Sequence, residues 1–396
     1  MRWVFPDSNN PEEAAQVRQT MQAIDNWWRS FQAQATSIVA SLSRKSELDL
    51  PRFMEDTLQA IHPSLMWEFG PAVRQKGQRL VITPESHRSL RPLVRTILRQ
   101  SPKIDGWEFY AYRLPEDVAQ TILAVKGRVG VNVTGATIDA SVAPGRKIDL
   151  FYSFPSLAGE DDDKQMQAAF ITTETLLGEQ VLDTWIGTID LQGSESRSGG
   201  RPLPLDRAQA TVSALIQSIG EQLPESRCQD LSGGDNWTSV KLDPPEEADD
   251  YPGRSDLLIA STHNVELFQG IHGGYPFSST CHSKAGEVFC YLKLDAEQVP
   301  KSELVAFRAR FEEALNAALL QARFGGCIGG GTGLRYSYID LALTDLARGV
   351  PFVRDALAQL QAPPRSWLLF HDDDLAEEWV GVYPHTPPPP REAEDE

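Results

Sequence analysis

A histidine followed by three aspartates is the densest group of potential chemistry in the chain. In WLLFHDDDLAEEW, residues 367–379, an apolar run typical of a buried strand leads into His371, Asp372, Asp373 and Asp374. Side chains just past the end of a strand often form α/β active sites, and carboxylates are ligands that Mg²⁺ and Mn²⁺ prefer. The turn therefore predicts either a metal-assisted hydrolase or acids that cap the short segment that follows. In a protein without catalysis, the same three aspartates are candidates for binding a basic partner.

Thiols and imidazoles are concentrated in residues 262–290, where Cys281 and His282 are adjacent. A thiol and an imidazole could serve as nucleophile and base, and in the hydrolase hypothesis they lie near the turn at His371. The groups of a catalytic triad meet in space, however, so adjacency in the chain does not provide their geometry. Zinc ligands commonly come in close pairs, and the gaps here are long. Ordinary loop and core residues are the favoured interpretation, and no metal site is predicted.

Six glycines lie in the nine residues GGCIGGGTG, 325–333. The GGGTG core is similar to a signature of tubulin-like GTPases, but Leu334 and Arg335 follow it where that signature has small residues. Phosphate-binding loops usually lead from a strand into a helix, whereas this segment leads from a predicted helix towards a strand. A helix C-terminus presents carbonyl groups, which repel phosphate. The segment is therefore predicted to be a loop with Gly325 as a helix C-cap, and neither a nucleotide nor another cofactor is expected.

Four arginines, Arg88, Arg91, Arg95 and Arg99, are spaced three, four and four residues apart in a predicted helix near 86–100. This spacing places all four on one helix face. They are candidates for binding an acidic partner or a phosphate-bearing ligand, or for docking on the acidic second half of the chain. The alternative is a solvated face opposite an apolar stripe.

One long helix is predicted over residues 11–45, and it makes up most of an N-terminal segment, 1–48. Its apolar residues alternate in steps of four and three, as in a heptad seam: Val17, Met21, Ile24, Trp28, Phe31, Ala35, Ile38 and Leu42. Because adjacent tryptophans are wide for a two-stranded coiled coil, packing on its own domain is favoured. A homodimer through this helix is the second interpretation.

The rest of the chain repeats a series of short strand-like runs, which indicates an internal duplication. The landmarks of the first copy are Trp67, Ile82, Phe109, Ile148 and Trp185, and those of the second are Trp237, Ile259, Phe289, Ile339 and Trp379. Helical patterns separate the runs, which is typical of α+β proteins with mixed sheets. The predicted domains are 49–191 and 205–384. Residues 192–204 form the linker, and 385–396 form a disordered proline-rich and acidic tail.

The charge of the chain is strongly acidic and unevenly distributed. Residues 1–200 contain 21 Lys and Arg against 25 Asp and Glu, and residues 201–396 contain 16 against 30, within a total of −18. Such a charge disfavours nucleic-acid binding and attracts basic partners. No secretory signal or membrane-spanning stretch is recognisable, and the four cysteines are widely spaced. A cytoplasmic, soluble protein is expected, with an exposed acidic loop at 243–256.

Two functions follow from these features. The first is a non-catalytic protein, such as an acidic inhibitor, immunity-type or adaptor protein, that recognises a protein partner through charged surfaces. The second is a metal-assisted hydrolase built on His371, Asp372 and Asp374, with Cys281 or His282 nearby.

Overall fold

The computed structural model describes residues 2–7, 9–43, 45, 47–192, 202–225, 237–245 and 250–391. The predicted linker therefore lies largely outside the described residues, as do 246–249 of the acidic loop and 392–396 of the tail. In the part that is described, no helix is long and apolar enough to cross a membrane.

The fold belongs to the α+β class and begins with a long helix, as predicted. The helices of the described residues are α1 Pro11–Leu42, α2 Leu50–Thr57, α3 Arg91–Arg99, α4 Val118–Val129, α5 Asp162–Leu177, α6 Glu179–Trp185, α7 Ala208–Gln222, α8 Val265–His272, α9 Leu304–Ala322 and α10 Leu346–Gln359. The strands are β1 Met66–Pro71, β2 Gln78–Thr83, β3 Trp107–Tyr110, β4 Thr137–Ala143, β5 Lys147–Ser153, β6 Ile186–Leu191, β7 Leu203–Pro204, β8 Thr238–Lys241, β9 Leu257–Thr262, β10 Val288–Asp295, β11 Gly325–Gly333, β12 Tyr336–Leu343, β13 Ser366–Phe370 and β14 Trp379–Gly381.

Two compact units are present. Unit 1 comprises Met1–Asp139, Phe151–Asp183 and Ile189–Gln209, and unit 2 comprises Ala140–Leu150, Thr184–Thr188 and Ala210–Glu396. Unit 1 contains a three-stranded sheet of order β1-β2-β3, and unit 2 contains a seven-stranded antiparallel sheet of order β14-β13-β10-β12-β11-β9-β8. A four-stranded sheet has the order β6-β5-β4-β7.

Helix α1 begins where the sequence indicates, because the side chain of Asn10 accepts a hydrogen bond from the backbone of Glu12 and Pro11 occupies the first turn. The middle of the predicted heptad seam, from Ile24 to Ile38, is buried inside unit 1, whereas Leu42 at its end is exposed. Trp28 donates its indole N–H to the carbonyl of Ile97 at 2.8 Å, and the ring of Phe31 lies 4.9 Å from that of Trp107. These contacts use the seam within its own unit, so a homodimer through α1 gains no support.

The internal duplication is not confirmed. Trp67, Ile82 and Phe109 belong to the three-stranded sheet, whereas Ile148 lies in β5 of the four-stranded sheet. The later landmarks lie in or next to strands of a single seven-stranded sheet. All the landmark segments contain strands, but the two series do not build the same sheet.

The glycine-rich segment is not a loop, so that prediction was wrong. It forms β11, an inner strand of the seven-stranded sheet between β12 and β9. A Cβ atom on Gly330 would lie 2.5 Å from the carbonyl oxygen of Tyr338, and one on Gly333 would lie 2.5 Å from the carboxyl carbon of Asp256. Gly330 and Gly333 are glycines because neighbouring backbone and side-chain atoms occupy the space that a larger residue would need. The C-cap of the preceding helix is Arg323, at φ 60°, and not Gly325.

Candidate functional site

Two aspartates of the His371–Asp374 turn, Asp372 and Asp373, form hydrogen bonds to a neighbouring loop of unit 2. Asp372 accepts hydrogen bonds from both the backbone N–H, at 2.7 Å, and the hydroxyl of Ser279. Asp373 accepts the backbone N–H of Phe277 at 3.0 Å. Burial raises the pKa of Asp372 to about 6, against the opposing effect of the bonds from Ser279. These contacts give Asp372 and Asp373 a structural role, which is distinct from the metal-binding role that the sequence also allows.

His371 contacts a different group of polar side chains from those that Asp372 and Asp373 bind. Its Nε2 lies 3.9 Å from Oδ1 of Asp340, and the same oxygen accepts a hydrogen bond from Nη1 of Arg254 at 2.7 Å. Burial alone would raise the pKa of Asp340, but Arg254 and His371 lower it overall. Burial also lowers the pKa of His371. The cluster is therefore an Asp340–Arg254 ion pair beside a neutral imidazole.

The same cluster lines a small cavity in unit 2, together with Thr262 and apolar side chains of α8. The cavity has a volume of about 10 Å³, which is room for about one water molecule. Nε and Nη2 of Arg254 and Nε2 of His371 are buried, and within the described residues they have no hydrogen-bond partner. The guanidinium of Arg254 also lies over the rings of Tyr291 and Tyr338, at 5.4 and 5.1 Å. The cluster can hold one water molecule in this shape.

Sequence reasoning did not find Asp340 or Arg254. A signal for Asp340 was present, because a single acid interrupts the apolar strand YSYIDLAL, residues 336–343. A buried carboxylate needs a charged or hydrogen-bonding partner. The sequence could not show which of the many arginines supplies it.

Cys281 and His282 are both buried in unit 2. The thiol of Cys281 donates a hydrogen bond to the carbonyl of Thr184, and burial raises its pKa to about 11. Burial lowers the pKa of His282 to about 3, and the nearby Arg146 and Lys147 lower it further. The ring of His282 stacks on that of Phe277 at 5.1 Å. A protonated thiol and a neutral imidazole in these positions are core groups. No set of three or more His, Cys, Asp or Glu side chains that could hold a metal is found in the described part of the chain.

The arginine stripe is divided between buried and exposed residues of unit 1. Arg91 is 2% exposed and binds Asp183 through Nη2 at 2.6 Å and Glu179 at 2.8 Å. Arg88 reaches Asp183 at 3.3 Å. These acids lie in α6, in the first half of the sequence, so the ion pairs described for Arg88 and Arg91 do not dock them on the acidic second half. Burial also removes Arg91 from any partner surface.

The two arginines at the other end of the stripe lie on the surface. Arg95 and Arg99 are exposed, and Nη2 of Arg99 donates to the hydroxyl of Thr96 at 2.9 Å. They are the members of the stripe that a partner can reach.

Within the described residues, one face of β8 and β9 is uncovered, and we call it the open shelf. Antiparallel pairing sets Ser239 opposite Ser261 and Lys241 opposite Ile259, so their side chains share a face. The shelf consists of Trp237, Ser239, Lys241, Ile259, Ser261 and His263. Trp237 is 41% exposed and Ile259 is 50% exposed. Sequence patterns predicted these strands but could not show which face remains open.

Helix α9 forms the border of the open shelf. It lies over β11, where Arg308 donates to the hydroxyl of Thr332 at 3.3 Å, and Thr332 is opposite Ile259 in the sheet. Val305, one turn before Arg308, is 64% exposed. In the described part of the chain, β8 pairs only with β9, so the shelf has a helix on one side and a strand edge on the other.

Comparison with known proteins finds no family model, curated protein or solved structure that matches this chain.

Proposed function

We propose that this chain is a non-catalytic protein-binding protein, an inhibitor or adaptor, and that its partner docks on the open shelf. The exposed Trp237 and Ile259 carry the proposal. An aromatic and a β-branched side chain on a sheet face are usually buried, and together with hydroxyl groups they form the mixed apolar and polar surface that protein interfaces use.

The charge of the chain favours a basic partner. In unit 2, Arg254, Arg335 and Arg365 are engaged in ion pairs with acids of the same unit. These pairs neutralise equal numbers of cations and acids, so the net charge of −18 remains as an excess of acids. Such a field accelerates the approach of a basic protein and repels nucleic acid.

The groups that the sequence offered for catalysis are engaged in packing. The thiol of Cys281 is bonded to a carbonyl, His282 is buried, and Asp372 holds Ser279. These commitments support a binding role. The three described cysteines are free thiols, which fits the cytoplasmic location that we propose for the protein.

The proposal is tested by photo-cross-linking from the shelf in the cells that naturally express the chain. A photo-reactive amino acid replaces Ser261 on the shelf, and in a matched control it replaces Val142, which is 50% exposed elsewhere in unit 2. We expect a cross-linked protein from position 261 and not from position 142. Ile259→Asp should abolish the product, whereas Val142→Asp, at the same exposure, should leave it unchanged. Equal products from both positions, or none from the shelf, would refute the proposal.

A further inference from the structure

At alternate residues, the outer edge of β8 presents backbone groups that no strand of the described residues accepts. The backbone N–H of Leu242 donates to the carbonyl of Leu258, the residue directly opposite it. In an antiparallel ladder, hydrogen-bonded and non-hydrogen-bonded pairs alternate. Val240 and Thr238 therefore turn their N–H and C=O groups towards β9, and Trp237, Ser239 and Lys241 turn theirs away from it. In the described part of the chain, no strand accepts these outward groups.

We propose that a second copy of this chain fills the edge, with the two β8 strands antiparallel about Ser239. In this register all three outward residues pair, since Ser239 lies opposite Ser239 of the second copy and Trp237 lies opposite Lys241. Every other register that keeps the alternation leaves at least one of the three without an opposite residue in the range Trp237–Lys241. Each of the three pairs exchanges two backbone hydrogen bonds, which gives six in all.

The side chains of this register complement each other. Trp237 and Lys241 are both exposed and lie on the same face of β8. In the pair, the ammonium of each Lys241 meets the indole face of the opposite Trp237, and this cation–π contact occurs twice because of the two-fold symmetry. Two serine hydroxyls meet at the centre. A single strand segment therefore supplies both halves of a self-complementary contact.

Pairing of the two β8 edges also joins the two open shelves into one binding surface for the partner. In this respect the inference rests on the proposed function. The two-fold axis is perpendicular to the sheet, so both shelves lie on the same side. They form a floor of four strands with a copy of α9 along each border. At a strand spacing of ~4.8 Å the two β11 strands lie about 24 Å apart, and two helices about 10 Å in diameter leave about 14 Å between them. That width admits one helix or an extended segment of a partner.

The register is tested with cysteine variants of the full chain. In all of them Cys228, which lies outside the described residues, is replaced by serine. Opposite residues of a hydrogen-bonded pair have Cα atoms ~5.5 Å apart, within the range of a disulfide. We therefore expect Ser239→Cys to form a disulfide-linked dimer under mild oxidation. Ser261→Cys, on the same face but one strand further from the axis, should remain monomeric. Disulfide formation at both positions, or at neither, would overturn the register.

The mode of pairing is tested by sedimentation of the unmodified chain and its Lys241 variants. Lys241→Pro removes an N–H that points outward and leaves the bonds to β9 in place, so it should weaken the dimer at least about tenfold. The control Lys241→Arg keeps both the N–H and the cation and should leave the dimer intact. The dimer should tighten with added salt, because the two copies carry the same charge. A chain that stays monomeric at all concentrations and salts, or a dimer that Lys241→Pro leaves intact, would overturn the proposal. If Lys241→Pro fails to fold, the Ser239→Cys result decides. Loss of pairing with shelf cross-linking intact would leave the proposed function standing.

Discussion

A methyl group added to Gly331 should destabilise the seven-stranded sheet, although glycine is usually the poorer residue in a strand. A Cβ at this position would overlap the Cδ1 of Leu257 and lie 2.7 Å from the carbonyl oxygen of Ile259. The leucine side chain can move, but the carbonyl belongs to the backbone of β9, so Gly331→Ala forces two strands apart. Overpacking of this kind costs about 1 to 3 kcal/mol. For a unit of this size the melting temperature should fall by about 2 to 12 °C.

The matched control is Gly220→Ala in α7, where a Cβ meets no atom within 4 Å. Removal of a helical glycine should stabilise the protein by about 0.5 to 1 kcal/mol. Thermal unfolding gives the sign for each variant, and hydrogen exchange of peptides from β9 and β11 shows where the loss occurs. If Gly331→Ala is as stable as Gly220→Ala, or loses protection only outside β9 and β11, the explanation of the glycine strand by close approach is refuted.

Three further predictions concern buried polar groups. Arg91→Ala should destabilise the protein by about 3 to 5 kcal/mol, because the buried Glu179 loses the cation that it binds and Asp183 keeps only its contact with Arg88. The exposed Arg99→Ala should change the free energy of unfolding by less than about 0.5 kcal/mol, and urea titrations that show equal effects would contradict the burial of the ion pair. The raised pKa of Asp372 means that the native state binds a proton more readily than the unfolded state, so its contribution to stability falls as the pH rises from about 4 to about 6. Asp372→Asn should remove this component from the pH dependence of unfolding, and identical pH profiles of the two proteins would exclude it. In a Cys228→Ser background the remaining thiols are those of Cys281, Cys290 and Cys327, which are buried. A disulfide reagent at pH 8 should label none of them until the chain unfolds, and fast labelling in the folded protein would contradict their burial.

The class of fold and most of its elements were predictable from the sequence. The heptad spacing of α1 and the proline and acids at its start determine both its extent and its buried face. The strand-like runs were identified by β-branched and aromatic residues, which are enriched in strands. How those strands assemble into sheets depends on contacts between residues that are distant in the chain, and the expected duplication was therefore not confirmed.

The candidate sites were harder to predict because they depend on what surrounds each residue. The glycines of β11 have the composition of a loop, and their strand position results from the space that Tyr338 and Asp256 occupy. The acids after His371 looked alike in sequence, yet Asp372 accepts bonds from Ser279 while His371 turns towards Asp340. The open shelf is a face of β8 and β9 over which the described part of the chain places no helix, and no local sequence pattern encodes that.

The order of strands in the seven-stranded sheet has a consequence for synthesis of the chain. Strand β10 lies between β12 and β13, and its partner β13 begins at Ser366, about 70 residues after β10 ends. At a translation rate of about 5 to 20 residues per second, one edge of β10 stays bare for roughly 4 to 14 s on the ribosome. That edge belongs to VFCYLKL, residues 288–294, an apolar strand of the kind that recruits other chains. Nascent chains of this protein should therefore depend on a chaperone until the segment SWLLF, residues 366–370, has emerged.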